Sequence, residues 1–218
     1  PAIDVYDNAM FIIALDYLLE MAPDSPQASR WKSLREGIER NVRAHLWDVK
    51  RQKFIPHIYP EKSPIPEGFD ELAIHYHGGT AIAIEAGLLS KDEIRTVNAQ
   101  MLENVRLSGM PSIGLTLYPV YPDGFFHGGM SKAYLYQNGG DWTWFGGRMI
   151  QQLVVNGMVE EAYAEIHPMI ERVIQNDGFY EWYGKGGVPS GSGNFKGSAG
   201  VLSKAIELLR DWAEKNKS

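Results

Sequence analysis

A carboxylate set among aromatic rings is the pattern in this sequence with the clearest chemical potential. Glu181 is flanked by Phe179, Tyr180, Trp182 and Tyr183, and six glycines follow between residues 184 and 197. Flat apolar faces with polar edges suit the binding of sugar rings, and glycines let a backbone approach a ligand closely. The pattern predicts that Glu181 acts on a carbohydrate. The alternative is an exposed turn residue whose aromatic neighbours fill a core.

A second segment, residues 136–144, carries further polar and aromatic candidates. Gln137 and Asn138 offer the paired donors and acceptors that recognise hydroxyl groups. Trp142 and Trp144 are candidate stacking platforms for a sugar ring, although Trp144 fits a place in the core equally well. Asp141 is predicted to bind sugar hydroxyls and is the second choice for a catalytic carboxylate.

Isolated acidic and histidine residues give weaker signals. Asp4 and Asp7 lie three residues apart near a predicted helix start, where capping explains Asp4, whereas Asp7 is also a candidate sugar ligand. His75 and His77, with Glu71 nearby, invite a metal interpretation. We reject it because residues two apart do not share a helix face and no third spaced ligand follows. We therefore predict no metal or other cofactor, and His77 remains a candidate sugar contact.

Composition excludes several function classes. The 218 residues carry a formal net charge of −6 with dispersed basic residues, which disfavours nucleic acid and anionic membranes as partners. The absence of cysteine removes disulfides and thiolate chemistry. No apolar run approaches the ~20 residues that span a bilayer. We expect a soluble protein, of either the cytoplasm or the periplasm.

Hydrophobic periodicity predicts an all-α fold built from helix pairs. Apolar helices alternate with amphipathic ones, and long loops rich in glycine, proline and aromatic residues separate the pairs, with a short strand within 53–59. Ser90 and Glu93 form a predicted capping box. The pattern predicts an inner helix layer, an outer layer and loops gathered on one face. The predicted helices cover residues 4–21, 27–48, 80–87, 90–105, 144–156, 159–175 and 198–215.

Four stretches together resemble the six-hairpin (α/α toroid) glycosidases, particularly the processing α-glucosidase I and trehalase group. The first combines DVYDNA, the helix WKSLREGIERNVRAHLWD and the extended KFIPHIY. The second is HGGTAIAIEAGLLSKDEI, and the third is YQNGGDWTW. The last joins YEWY through a glycine-rich spacer to GNFKGSAG. Their order and spacing cover nearly the whole chain.

The resemblance implies specific roles and a specific gap. In those enzymes the carboxylate at the position of Glu181 is the catalytic base, and Tyr180, Trp182 and Tyr183 would line sugar subsites. Lys196 stands near a position where the family commonly has tryptophan, so the subsite there is expected to differ. The family's general acid lies upstream of the hairpin that matches residues 1–48. Residues 1–218 are therefore expected to be one domain, the C-terminal part of a twelve-helix toroid whose remainder is its partner.

Three functions follow as expectations. The first is an inverting hydrolase of an α-linked, gluco-configured disaccharide or oligosaccharide, in which Glu181 activates water. For that role Glu181 should be hydrogen-bonded and reachable by water. The second is an inverting phosphorylase, with phosphate held by the 190–198 loop and Lys196. The third is a non-catalytic carbohydrate-binding module that keeps the toroid.

Overall fold

The computed structural model describes residues 1–217, and seven α-helices dominate this part of the chain. This architecture confirms the predicted all-α class. Their bounds are α1 Val5–Met21, α2 Ala28–His45, α3 His77–Glu85, α4 Lys91–Ser108, α5 Thr143–Val155, α6 Val159–Gln175 and α7 Lys196–Lys215.

The helices form the two layers that the periodicity predicts. α1, α3, α5 and α7 pack side by side as an inner row, each against the next. α2 packs on α1, and α6 packs on α5, so these amphipathic helices lie outside the row. Every residue from His77 to Ile84 in α3 is buried, which explains why this helix is apolar all round.

Local sequence explains where individual helices begin and approach one another. At α4 the Ser90 amide donates to the Glu93 carboxylate at 2.8 Å, and the Glu93 amide donates to the Ser90 hydroxyl, which confirms the capping box. At the start of α3 an added Cβ on Gly79 would lie 2.8 Å from both Val5 of α1 and Tyr76. Glycine at this position therefore permits the close contact between α1 and α3.

Two short β-hairpins, which the sequence analysis did not predict, shape two of the loops. Residues Trp47–Asp48 form β1, which pairs antiparallel with Lys53–Phe54, β2. The second predicted helix consequently ends at His45 rather than at residue 48. In the loop before α7, Trp182–Tyr183 (β3) pairs antiparallel with Pro189–Ser190 (β4).

The long loops precede the inner helices and are joined to one another at that end of the row. Ile3, before α1, pairs with Ile58, and His75, before α3, pairs with Tyr118. Asp141, before α5, pairs in the same way with Tyr183. The loops thus collect at the N-terminal ends of the inner helices, on one face as predicted. Within residues 1–217, no helix has the length and apolar character needed to cross a membrane.

Candidate functional site

Glu181 lies in a short extended segment, residues 179–183, that is hydrogen-bonded along its length. The Glu181 amide donates to the Ser192 carbonyl at 2.9 Å, and the Phe195 amide donates to the Phe179 carbonyl at 2.8 Å. The Ser198 hydroxyl at the start of α7 donates to the Tyr180 carbonyl at 3.1 Å. These hydrogen bonds fix the backbone that carries Glu181. Because Glu181 is only half-buried, its side chain still reaches water.

The glycine-rich loop folds directly against this carboxylate. Gly191 has φ of +72°, a conformation that L side chains rarely adopt, and an added Cβ there would lie 2.7 Å from the Glu181 Cβ. The Ser192 amide points at Glu181 Oε2 over 3.5 Å. The predicted close approach of the loop is therefore an approach to Glu181 itself.

Tyr136 lies beside Glu181, although sequence reasoning did not single it out as a site residue. Its ring packs edge-on against Trp142 and Trp182, with centroids 4.9 and 6.3 Å away. The pKa of the Tyr136 hydroxyl is raised by burial, and further by the adjacent Glu181 carboxylate. Its left-handed φ of +49° was the feature that sequence could not reveal.

Asp141 has no exposed surface, which conflicts with its predicted roles as a catalytic carboxylate and a hydroxyl ligand. Arg172 Nη1 lies 2.8 Å from Asp141 Oδ1. The Ser112 hydroxyl is within hydrogen-bond distance of both Asp141 oxygens, at 2.9 and 2.7 Å. Because its partners enclose the carboxylate, a sugar has no access to Asp141.

Asn138 and Trp142 are also buried, which corrects their predicted contact with substrate. Asn138 is fully buried; its side chain accepts from the Tyr121 amide at 2.9 Å and donates to the Tyr121 carbonyl at 3.1 Å. Trp142 is 5% exposed and donates its indole N–H to the Tyr136 carbonyl. Both side chains shape the loop that carries Tyr136.

His77 is buried below the loop face and does not reach it as a sugar contact. One ring nitrogen lies 2.9 Å from the Asn104 side-chain amide. Burial, together with the smaller effects of the nearby His75 and Lys53, lowers the pKa of His77 to about 3. His77 is therefore a neutral core residue of α3.

Tyr183 is fully buried, which conflicts with its predicted place in a sugar subsite. Three other predicted aromatic residues, Tyr180, Trp182 and Trp144, are half-buried and keep some access to solvent. The Arg148 guanidinium lies 4.3 Å from the Trp144 ring centroid, and that ring borders Gly197. The remaining candidates, Asp7 at the start of α1, Gln137 and Lys196 at the start of α7, are exposed.

A cavity of about 220 Å³ opens between the starts of α1 and α3. Gln137, which follows Tyr136 in the sequence, contributes to its lining. Asp4 also lines it, and burial raises the pKa of this carboxyl, which caps α1 by accepting from the Asp7 amide. The lining residues are Asp4, Pro56, His57, Ile74, Tyr76, Leu117, Tyr121, Phe126, Met130 and Gln137.

Glu71 organises the loops beside this cavity. Its Oε1 accepts from the hydroxyls of Tyr121 and Tyr59, at 2.5 and 2.8 Å, and lies 2.8 Å from His57 Nδ1. The partners of Glu71 are therefore these loop residues, and neither His75 nor His77 is among them. Across residues 1–217, no group of three or more histidine or acidic side chains is arranged to hold a metal ion.

Sequence comparison finds neither a matching protein-family model nor a matching curated protein. Solved structures are similar. Residues of this chain align over 96% of its length with the GH63 mannosylglycerate hydrolase from Thermus thermophilus in complex with Tris and D-glycerate (18% identity, TM-score 0.63). The complex of that hydrolase with glucose aligns over the same share, at 17% identity and a TM-score of 0.64.

These alignments cover 46% and 48% of the hydrolase chains, so the present chain spans about half of their length. The alignments show a common helical fold, which confirms the predicted fold class of a partial α/α toroid. Membership of the glycosidases, and the narrower likeness to α-glucosidase I and trehalase, stay predictions. The described chain therefore has the fold of about half of the toroid in those solved hydrolase structures.

Proposed function

We propose that this chain is the part of an inverting glycoside hydrolase that supplies the general base, Glu181. The observation that carries the proposal is the half-exposed Glu181 carboxylate, held on a hydrogen-bonded segment at the loop face of a toroid. The same fold occurs in glycoside hydrolases.

The surroundings of Glu181 suit a base that activates water. Inverting hydrolysis needs an ionised carboxylate on one side of the sugar and a protonated carboxyl on the other, roughly 6.5 to 9.5 Å apart. Glu181 reaches solvent, and the Ser192 amide and the Tyr136 ring flank it. These neighbours favour a fixed carboxylate with an open side for water.

We assign sugar binding to the half-buried aromatic rings and to the cavity beside Gln137. Trp182 and Tyr180 flank Glu181 in sequence and offer apolar faces to a pyranose. The cavity combines a carboxyl, an imidazole and an amide with aromatic walls, and its volume suits one sugar ring. This mixture of polar edges and flat rings supports a saccharide as the ligand.

The proposed substrate is an α-linked, gluco-configured disaccharide or oligosaccharide. Glucose occupies the structure of the similar Thermus thermophilus hydrolase, which supports a gluco-configured unit. The name of that enzyme also makes glycosylglycerates reasonable test compounds. The general acid, in this proposal, belongs to the remainder of the toroid outside these 218 residues.

The test follows α-linked glucosides and glycosylglycerates by proton NMR with the complete protein. Early release of the β-anomer, independent of phosphate, is the expected result. Phosphate-dependent release of a sugar 1-phosphate would replace the hydrolase with a phosphorylase, for which Lys196 is the exposed cation of the loop. Saccharide binding in calorimetry without cleavage of any tested glycoside would instead identify a non-catalytic module.

A further inference from the structure

We infer that the buried Arg172–Asp141 ion pair positions Glu181, an assignment that rests on the proposed role of Glu181 as the base. In this assignment Arg172 and Asp141 never touch substrate. They act through Tyr183, two residues beyond Glu181.

The ion pair is enclosed and amply hydrogen-bonded. Arg172 is 5% exposed and Asp141 is fully buried, with 2.8 Å between Nη1 and Oδ1. Arg172 Nη2 also donates to the Thr143 hydroxyl at 2.7 Å. Ser112 contacts both partners, since its hydroxyl lies 3.3 Å from Arg172 Nη1 as well as next to the carboxylate. Arg172 Nε has no hydrogen-bond partner among the described residues, so the two Nη atoms carry the pairing. Burying two charges is tolerated only where partners of this kind are present.

Two contacts connect this ion pair to the Glu181 segment. Asp141 and Tyr183 exchange both backbone hydrogen bonds, at 2.9 and 2.8 Å. The Arg172 guanidinium also lies 4.0 Å from the centroid of the Tyr183 ring, a cation–π geometry. Tyr183 is thus held by its main chain through Asp141 and by its side chain through Arg172.

The position of Arg172 in the fold explains why this arrangement fixes the segment. Arg172 lies in the last turn of α6, an outer helix, and shares the buried face of that helix with Ala162, Ile166 and Met169. Its guanidinium reaches Asp141, two residues before α5. The pair therefore fastens β3 to both helix layers at once.

The backbone at Gly114 packs directly against the Asp141 carboxylate. An added Cβ on Gly114 would lie 2.6 Å from the Trp142 carbonyl and closer still to Asp141 Oδ1. Gly114 also donates its amide to Ser112, at 3.2 Å. Glycine at position 114 therefore permits the close approach of this backbone to Asp141.

The test compares Arg172→Met with Arg43→Met in the complete protein. Arg43 is a matched control, because it pairs with Glu93 at 2.7 Å and lies over the Trp47 ring, far along the chain from Glu181. Two quantities are measured: hydrogen exchange of the Glu181 and Tyr183 amides, and kcat and KM on the substrate identified by NMR.

Arg172→Met should speed exchange at both amides and lower kcat by about tenfold or more with little change in KM, since small displacements of a catalytic group are costly. Arg172→Lys should recover part of kcat. Arg43→Met should change neither. Unchanged exchange at Tyr183 in folded Arg172→Met, or equal losses of kcat in both methionine variants, would overturn the assignment.

Two provisions keep the outcomes distinct. If Arg172→Met does not fold, Ser112→Ala provides a milder variant that removes one hydrogen-bond donor from Asp141 and carries the same expected direction. The exchange measurement needs no turnover. If Arg172→Met shows faster exchange but Glu181→Gln is fully active, Glu181 is not the base. If Arg172→Met shows normal exchange, only the positioning role is refuted.

Discussion

At the scale of single residues, Gly191 controls the space that Glu181 occupies. Replacing it with alanine places a Cβ against the Glu181 side chain, at 2.7 Å from its Cβ, in a left-handed conformation. Gly191→Ala should lower kcat by roughly 10²-fold, because a displacement of about 1 Å at a catalytic group has that effect. Steady-state kinetics on the complete protein measures the change.

Gly187 supplies the matched control for this substitution. It lies in the same loop with φ of +73°, but an added Cβ would meet no atom within 4 Å. Gly187→Ala should therefore share the backbone cost, about 1–2 kcal/mol, and keep kcat near wild type. Equal loss of kcat in the two variants would contradict contact with Glu181 as the cause.

His77 predicts a pH dependence of stability. Burial lowers its pKa to about 3, whereas the unfolded chain binds the proton near pH 6.5. Its full contribution to stability is present above pH 6.5 and is lost as the pH falls toward 3, at up to ~1.4 kcal/mol per pH unit. The free energy of unfolding, measured with urea between pH 7 and pH 5, should fall less steeply with decreasing pH in His77→Gln than in the wild type. The same pH dependence in both proteins would argue against a neutral, buried imidazole.

Sequence predicted the aromatic surroundings of Glu181 but not which polar candidates would be buried. Asp141 is buried by its ion pair with Arg172, a residue that lies 31 positions later in the chain. Asn138 likewise turns inward to the backbone of Tyr121. Such burial depends on distant packing, which residue spacing does not encode.

At the scale of elements, the capping box of α4 gives a local stability prediction. Ser90→Ala should lower the free energy of unfolding by about 1 kcal/mol, since the Glu93 amide loses its partner. Ser33→Ala, at an exposed position inside α2, should be neutral or slightly stabilising because alanine favours helix. Thermal or urea unfolding distinguishes them, and equal stability of both variants would contradict the cap.

Helices were more predictable than loops for a physical reason. Apolar periodicity extends over whole helices, and signals such as Ser90–Glu93 mark their starts. The hairpins, whose strands have two residues each, and the cavity lined by Asp4 and Gln137 depend on contacts between distant parts of the chain, such as Ile3 with Ile58. Those contacts leave no periodic trace in the sequence.

At the scale of the whole molecule, the proposal makes the inner row and the loop face one part of a larger catalytic arrangement. The chain covers less than half of each similar hydrolase chain, and Glu181 is the half-exposed carboxylate that the account assigns as base. In the proposal, the remaining half contributes the proton donor across the bound sugar.

Glu181→Gln in the complete protein is the decisive test of Glu181 as the general base. Glutamine keeps the shape and removes the charge, so kcat should fall by at least about 10²-fold while saccharide binding measured by calorimetry persists. Glu171→Gln, at an exposed position in α6, should retain full activity. Turnover by Glu181→Gln at a rate close to wild type would contradict the assignment of Glu181 as the general base.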